Sequence, residues 1–517
     1  MSEIAQLRAE LAELRAGLAE AHEMIRDLRR VIVAKDERIA LLEAENTSLR
    51  EDNAQLRTRV ADLEQQLKMN SRNSSLPPSS DQMGRAKPKS LREKTGRKPG
   101  KAAGEGGSAL AMTVPDVEHD WYPRACRGCG AGLAGAAEAG LVRRQVHELP
   151  EPAIVVTEHR MHKRRCACGC VTVAASPAGV DAPVSYGPAL RAFAVYLVVF
   201  QLLPVARTAE LISDLTGATV SEGWIMNVLA EAHDGLADVD AAIKTLITLS
   251  YVVHADETSM KLSPLGVSGG KGWLHVAATT TLTSYHVHLS RGLKAVREHG
   301  VLPAFAGVLV HDGLSMYDSA RLADPAGERP PVFTHALCGA HLARELVAAA
   351  ERHPGRNWPL QAKRALYALN DAAHEARGQG RDHIPPEILG EQVTLFRHAV
   401  RIGLAAHRRD HTRREQSKTR NLLERLRDRE ADVLRYARDL AVPFTNNRAE
   451  GDLRMAKTKV KVSGAMRTLA GLKQFARIRG YLSSARKNGV TAWNAGSSKL
   501  SGVEVSAALA GSGAAGA

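Results

Sequence analysis

Apolar side chains recur on an unbroken seven-residue repeat from Ile4 to Leu67. Ile4, Leu11, Leu18, Ile25, Ile32, Ile39, Asn46, Asn53, Val60 and Leu67 take one seam position, and a second series running from Leu7 to Leu63 takes the other. The three-then-four spacing makes these the a and d positions of a coiled coil. β-Branched a residues over Leu at d predict a parallel two-stranded form, and a buried amide at Asn46 and Asn53 fixes register and strand number at some cost in stability. This segment, 1–68, is expected to be a homodimer handle. It ends at "NSRNSSLPPSSD", where Pro77 and Pro78 forbid further helix.

The pattern then loses its period. Residues 69–115 carry Lys and Arg spaced by Gly and Pro, Arg97 and Lys98 among them, as in an arm that neutralises phosphates without reading sequence; a simple solvated tether fits equally well. Between 116 and 180, "RRQVHELP" and "AIVVTEHRMHKRR" alternate like short strands of a small ribbon. From 181 to 248 the period is helical. Two amphipathic segments meet across Gly217, with Ser221 as the N-cap of the second, a spacing that suits either a helix-turn-helix or a packed hairpin. Strand-like runs follow: "SYVVHADETSMKL", "GWLHVAATT", "SYHVHLSRG" and "GVLVHDG". Residues 340–441 read as helices rich in Arg and His, 442–490 as a return to the core, and 491–517 as a Gly, Ser and Ala-rich flexible tail.

Composition narrows the partners. The 517-residue chain holds 70 Lys and Arg against 56 Asp and Glu, a formal charge of +14 that favours a polyanion. The mean hydropathy of −0.22 argues against an integral membrane protein, and "FAVYLVVFQLLPVA", its most apolar run, is too short to span a bilayer. No apolar leader opens the chain and the six cysteines are too few for a secreted disulfide framework, so a cytoplasmic location is expected.

Five of those cysteines cluster. "CRGC" offers Cys126 and Cys129, and "CACGC" offers Cys166, Cys168 and Cys170, so two thiolate pairs on Gly-containing turns can supply the four soft ligands of a structural zinc ion. Cys166 and Cys168 are the preferred second pair, because Cys168-Gly169 repeats Cys129-Gly130. The sixth, Cys338, forms half of a zinc spacing with His341 in "CGAHLARE". No second half is near it in the sequence. A helix start close to the active site is the preferred reading, with Arg344 able to contact DNA.

Asp256 and Asp312 each end a run of apolar strand residues, where the backbone can hold two carboxylates together at the mouth of a crevice. Phosphoryl transfer by two hard cations about 4 Å apart needs such oxygens, and a third carboxylate on a nearby helix completes the cage. Glu450, in "NNRAEGDLR", can be that group. The alternative for Glu450 is a capping box with Asn447. Arg454, Lys457 and Lys461 follow Glu450 on one helical face, placed to contact phosphates. Glu257 is expected on the opposite side of its strand from Asp256, in a structural role.

These motifs resemble the insertion-sequence-66 type of bacterial DDE transposase, from the coiled coil to about Gly489. The resemblance rests on "NSRNSSLPPSSD", "CRGC", "CACG", "HADET", "HDGLSMYD", "CGAHLARE", "NNRAEGDLR", "KVSGAMRT" and "IRGYLSSARKNG". It implies a multidomain α/β protein whose ribonuclease-H-like core, 249–339 and 442–490, is interrupted by a helical insertion. It also implies Asp256, Asp312 and Glu450 as the acidic triad, holding two Mg2+ or Mn2+ ions, and DNA partners at the element's ends and in the target. Accessory proteins of the same element are a further implied partner. The sequence departs from the family at Thr445, where Asp is expected, and at Gly451, where Arg is expected. Two other readings fit the same residues: a non-catalytic DNA-binding regulator, and a nuclease without strand transfer.

Overall fold

The structure is a computed structural model and describes residues 2–68, 110–149, 152–263, 270–409 and 416–500. The basic arm with Arg97 and Lys98, and the chain after 500, lie outside the described residues.

Helix α1 runs from Ser2 to Lys68 without interruption. Its seam is bare: Ile4 is 63% exposed, Leu18 58% and Leu42 47%. An isolated helix gains little from propensity alone, so apolar residues in this arrangement require a partner surface.

Among the described residues of the ribbon there is one hairpin, β1 (Lys163–Arg165) paired antiparallel with β2 (Val171–Val173). The strands expected at "RRQVHELP" and through most of "AIVVTEHRMHKRR" are not formed. Val155 and Val156 are 88% and 86% exposed, so no apolar layer rewards pairing there. Instead the Gln145 side-chain amide bridges to Thr113, accepting its N–H and donating to its carbonyl.

Helices α2 (Pro188–Val195), α3 (Val205–Thr216), α4 (Glu222–Gly235) and α5 (Ala237–Thr248) follow, with a π-type turn at Tyr196–Phe200 after α2. Gly217 ends α3 in the left-handed conformation at φ 71°, and Ser221 caps α4 by accepting the Trp224 N–H. Ile212, Ile225, Val228 and Leu229 from this hairpin are buried in a core shared with the sheet. Packing therefore accounts for its apolar faces.

A five-stranded sheet has the order β5-β4-β3-β6-β7. β3 (Val252–Lys261), β4 (Lys271–Ala278) and β5 (Thr283–His288) form an antiparallel meander, and β6 (Val308–His311) and β7 (Thr334–Leu337) extend it in parallel with β3. All four residues of β6 are buried, as expected of an internal parallel strand. Alternate residues of β3 serve two cores: Met260 joins α2, α3 and α4 on one face, while Val253 and Ala255 join α5 and α6 (Leu293–His299) on the other.

After β7 the chain is helical: α7 (Gly339–Arg352), α8 (Trp358–Gly378), α9 (Pro386–Ala406), α10 (Lys418–Asp428) and the short α11 (Glu430–Val433) and α12 (Arg435–Arg438). It then returns to the sheet with α13 (Asn447–Ser463) and α14 (Leu469–Lys487). Helix α15 (Ala492–Leu500) occupies the start of the stretch read as a tail, with Trp493 packed edge-on against Phe193 and Tyr196. Gly, Ser and Asn make it a poor helix former by itself, and the burial of Ala492 and Ala495 supplies the packing it needs.

Candidate active site

Strand register brings the two aspartates together. Val252, Val253 and His254 lie opposite Val308, Leu309 and Val310, and the same register continued by two residues sets Asp312 beside Asp256. Each acid lies two residues past the last β3–β6 pair, and the charge of Asp312 raises the Asp256 pKa, so the two carboxylates are close. The β6–β7 register, with His311 opposite Leu337, continues in the same way to set Cys338 beside Asp312, and the Cys338 N–H donates to the His311 carbonyl at 2.9 Å. The row lies at the carboxyl ends of the parallel strands, where open α/β sheets bind ligands.

Glu450 reaches the row because α13 is fastened to β3 at both ends. At its start Asn446 is fully buried; its Nδ2 donates to the Ala255 carbonyl at 2.9 Å, and its Oδ1 accepts from His254 Nδ1 at 3.0 Å. Its backbone N–H donates to Cys338 Sγ at 3.2 Å, and its carbonyl accepts the Glu450 N–H at 3.2 Å. Beyond its end, the Met466 N–H donates to the Lys261 carbonyl and the Met466 carbonyl accepts the Ser263 N–H. The capping box between Asn447 and Glu450 is absent. The N-cap is Asn446, whose side chain is committed to β3 and makes no cap bond.

A third tie closes the crevice floor. Gly339 donates its N–H to the Phe444 carbonyl, and a Cβ on Gly339 would lie 1.9 Å from the Phe444 ring. No other residue fits there.

The electrostatics follow from this convergence. Burial first, then the charges of Glu257, Asp312 and Glu450, hold the Asp256 carboxyl well above the usual carboxylate range, against one stabilising bond from the Glu257 N–H at 2.8 Å. Asp312 Oδ1 accepts the Leu314 N–H at 3.0 Å, which fixes its turn. Glu450 Oε1 is buried with no hydrogen-bond partner and lies 3.6 Å from His341 Nδ1. Crowded acids and an unsatisfied carboxylate oxygen are donors suited to divalent cations.

Glu257 is bound by other side chains, while its charge acts on Asp256 and that of Asp312 acts on it. Arg291 donates to its Oε1 through Nε at 2.9 Å and Nη2 at 2.7 Å, and the Tyr317 hydroxyl donates to its Oε2 at 2.9 Å. Of the basic residues expected to meet DNA, Arg454 and Lys461 are exposed on α13, Lys457 is half-buried beside them, and Arg344 is half-buried on α7. Gly451 is exposed on the same helix as Glu450, with nothing within 4 Å of a Cβ built on it. The residue that sequence reading missed is Asn446. Its neighbours Phe444 and Cys338 carry no signal of the contact, because all three meet only through tertiary packing.

The two cysteine turns share one design. In the first, the Cys126 N–H donates to the Ala131 carbonyl and the Gly130 N–H to the Cys126 carbonyl; in the second, the Cys166 N–H donates to Cys170 and the Gly169 N–H to Cys166. The second turn is one residue shorter and Cys168-Gly169 stands where Cys129-Gly130 does. Gly130 and Gly169 have φ of 75° and 88°. Backbone N–H bonds, from Cys129 and Gly128 to Cys126 and from Cys170 to Cys168, hold both thiols below their ordinary pKa, which favours the metal-binding thiolate. The two turns are not gathered into one four-thiol cluster among the described residues.

Residues 183–474, more than half of the chain, match the model of the transposase IS66 family. The chain belongs to that family. Residues 123–169 match the zinc-finger binding domain of transposase IS66, which accounts for the cysteine turns and brings structural zinc with it. Residues 1–110 match a family of unknown function, DUF6444. No curated protein matches the chain. The transposase match takes in Asp256, Asp312 and Glu450 together, along with the sheet that carries the first two. No helix among the described residues is long and apolar enough to cross a membrane.

Proposed function

We propose that this member of the family is a catalytically competent DNA transposase that cuts DNA at its element's ends and joins the freed 3′ ends to a target. The observation that carries the reading is the parallel β3–β6 pairing, which ends two residues before Asp256 and two before Asp312, with the charges of Asp312 and Glu450 both raising the Asp256 pKa. A mixed sheet in which parallel strands extend an antiparallel meander, with acids at the ends of two neighbouring strands, supports a ribonuclease-H-like core.

Asp256, Asp312 and Glu450 would hold two magnesium or manganese ions. Such ions, when bound, supply Lewis-acid activation of the attacking oxygen and charge neutralisation on the leaving one. The chain's own part is placement. Strand register fixes the two aspartates, the Asn446 ties fix Glu450, and the cations of Arg454, Lys457 and Lys461 hold the DNA backbone alongside. Arg97, Lys98 and Arg344 are assigned further phosphate contacts on their charge alone. Cys126, Cys129, Cys166 and Cys168 are the zinc ligands of the ribbon; the shared turn design supports Cys168 over Cys170, and the family's zinc-finger match ends at 169.

The coiled coil would join two copies in parallel. With the a and d positions fixed, the flanking g and e′ residues pair as Glu3 with Arg8, Glu10 with Arg15, Arg38 with Glu43, Glu45 with Arg50 and Asp52 with Arg57, and no like-charged pair occurs. Parallel alignment also sets Asn46 against Asn46 and Asn53 against Asn53, so each buried amide meets another.

Incubating the full chain with magnesium and a labelled element-end duplex tests the proposal. The expected result is joined product, lost in Asp312→Asn while end binding persists. Joining that survives Asp312→Asn contradicts the triad. Cut product alone identifies a nuclease, and binding alone a regulator.

A further inference from the structure

The start of α7 brings together donors that the acidic triad leaves unused. Cys338 closes the row at the strand ends and His341 follows within one helical turn, so both side chains gather around Glu450. One ligand atom each from Cys338, His341 and Glu450 lies within 4.8 Å of the other two. His341 Nδ1 and Glu450 Oε1 are 3.6 Å apart. Two ligands bound at about 2.1 Å to one tetrahedral ion are themselves about 3.4 Å apart, so a single ion can serve both with little movement.

The chemistry of the set selects the ion. Thiolate sulfur, imidazole nitrogen and carboxylate oxygen suit zinc, whereas magnesium takes oxygen donors and leaves sulfur unbound. The Asn446 N–H on Cys338 Sγ is the kind of outer hydrogen bond that orients a metal-bound thiolate. The Cys-x-x-His spacing lacked a partner in sequence; Glu450, more than a hundred residues later, supplies one through the fold.

We propose that Cys338, His341 and Glu450 bind a zinc ion beside the acidic triad, sharing Glu450 with it. Three protein ligands leave the fourth zinc position open to water or to a phosphate oxygen of DNA. The site stands on its own donors; only its consequence for strand transfer rests on the triad reading. That consequence is that zinc pins one Glu450 oxygen and leaves the other to face Asp256 and Asp312.

The test uses the full chain with Cys126→Ser and Cys166→Ser, which removes two thiolates of the ribbon. Bound zinc is measured after exhaustive dialysis in this parent and in versions that add His341→Gln, Cys338→Ser or Asp312→Asn. The expected result is about one zinc per chain in the parent and with Asp312→Asn, and loss of that zinc with His341→Gln and with Cys338→Ser. Cobalt in place of zinc should give a thiolate charge-transfer band that only Cys338→Ser and His341→Gln remove. A parent without zinc, or a zinc content that neither substitution lowers, overturns the proposal. Asp312→Asn separates the two readings: retained zinc together with undiminished joining would leave this site standing and remove the triad.

Discussion

Asn446 shows how much of the site hangs on a side chain that performs no chemistry. Its amide and backbone are hydrogen-bonded to His254, Ala255, Cys338 and Glu450, so it ties together the strand before Asp256, the turn before α7 and the helix that carries Glu450. Replacing it by Ala leaves the His254 ring and the Ala255 carbonyl unpaired in the interior, at about 1–3 kcal/mol for each. Asn446→Ala should lower the free energy of unfolding by an amount of that order, and with it the urea midpoint, and abolish strand joining. A midpoint unchanged from the native chain, measured by urea unfolding, would contradict the role. The acids were legible in the sequence and this residue was not. Asp256 and Asp312 stand out because two apolar runs end in the same way, and Glu450 because it heads a basic helix. Asn446 sits where an amide before a helix reads as an ordinary cap, and only the packed structure turns its side chain toward β3 instead.

At the level of elements, strands backed by a core were legible and strands without one were not. β3, β4, β5 and β6 fall on the apolar runs that announce them, whereas the described residues of the ribbon form strands only at Lys163–Arg165 and Val171–Val173. Alternation predicts a strand only where there is something to cover. The β4–β5 pair carries a further consequence. His275 and His286 face each other across the two strands, and His286 stacks on His299 of α6 at 5.5 Å. Burial depresses all three rings, His275 and His286 to about 4, with neighbouring histidines and, for His286 and His299, Lys244 adding to the effect. The folded-state values lie below the unfolded value of about 6.5, so the unfolded chain binds protons first as pH falls. The stability these rings contribute is whole above about pH 6.5 and is lost progressively toward about pH 4. Urea midpoints should therefore drop between about pH 7 and about pH 5, and His286→Phe should flatten the dependence. A native-like slope in that variant would show that the cluster does not set it.

For the whole molecule, the exposed seam of α1 is the feature that one chain cannot satisfy. The heptads, the two seam asparagines and the complementary g and e′ charges all specify the same parallel pairing. The full chain should sediment as a dimer, and removal of residues 2–68 should yield a monomer. Replacing Asn46 and Asn53 together by Ile should raise the thermal stability of the pairing and loosen its register, because the seam amides give up stability to fix it. A monomeric full chain at micromolar concentration would contradict the pairing. Such a dimer would place two acidic sites in one particle, as the proposed cutting at both ends of one DNA segment would use. By the proposed function, Asp256, Asp312 and Glu450 share cations. Crystals of the full chain soaked in manganese and measured at the manganese absorption edge test it most directly. Anomalous peaks should lie in contact with oxygens of all three side chains and be lost on Asp312→Asn. Manganese absent from the site, or bound by the aspartates with Glu450 turned away, would contradict it.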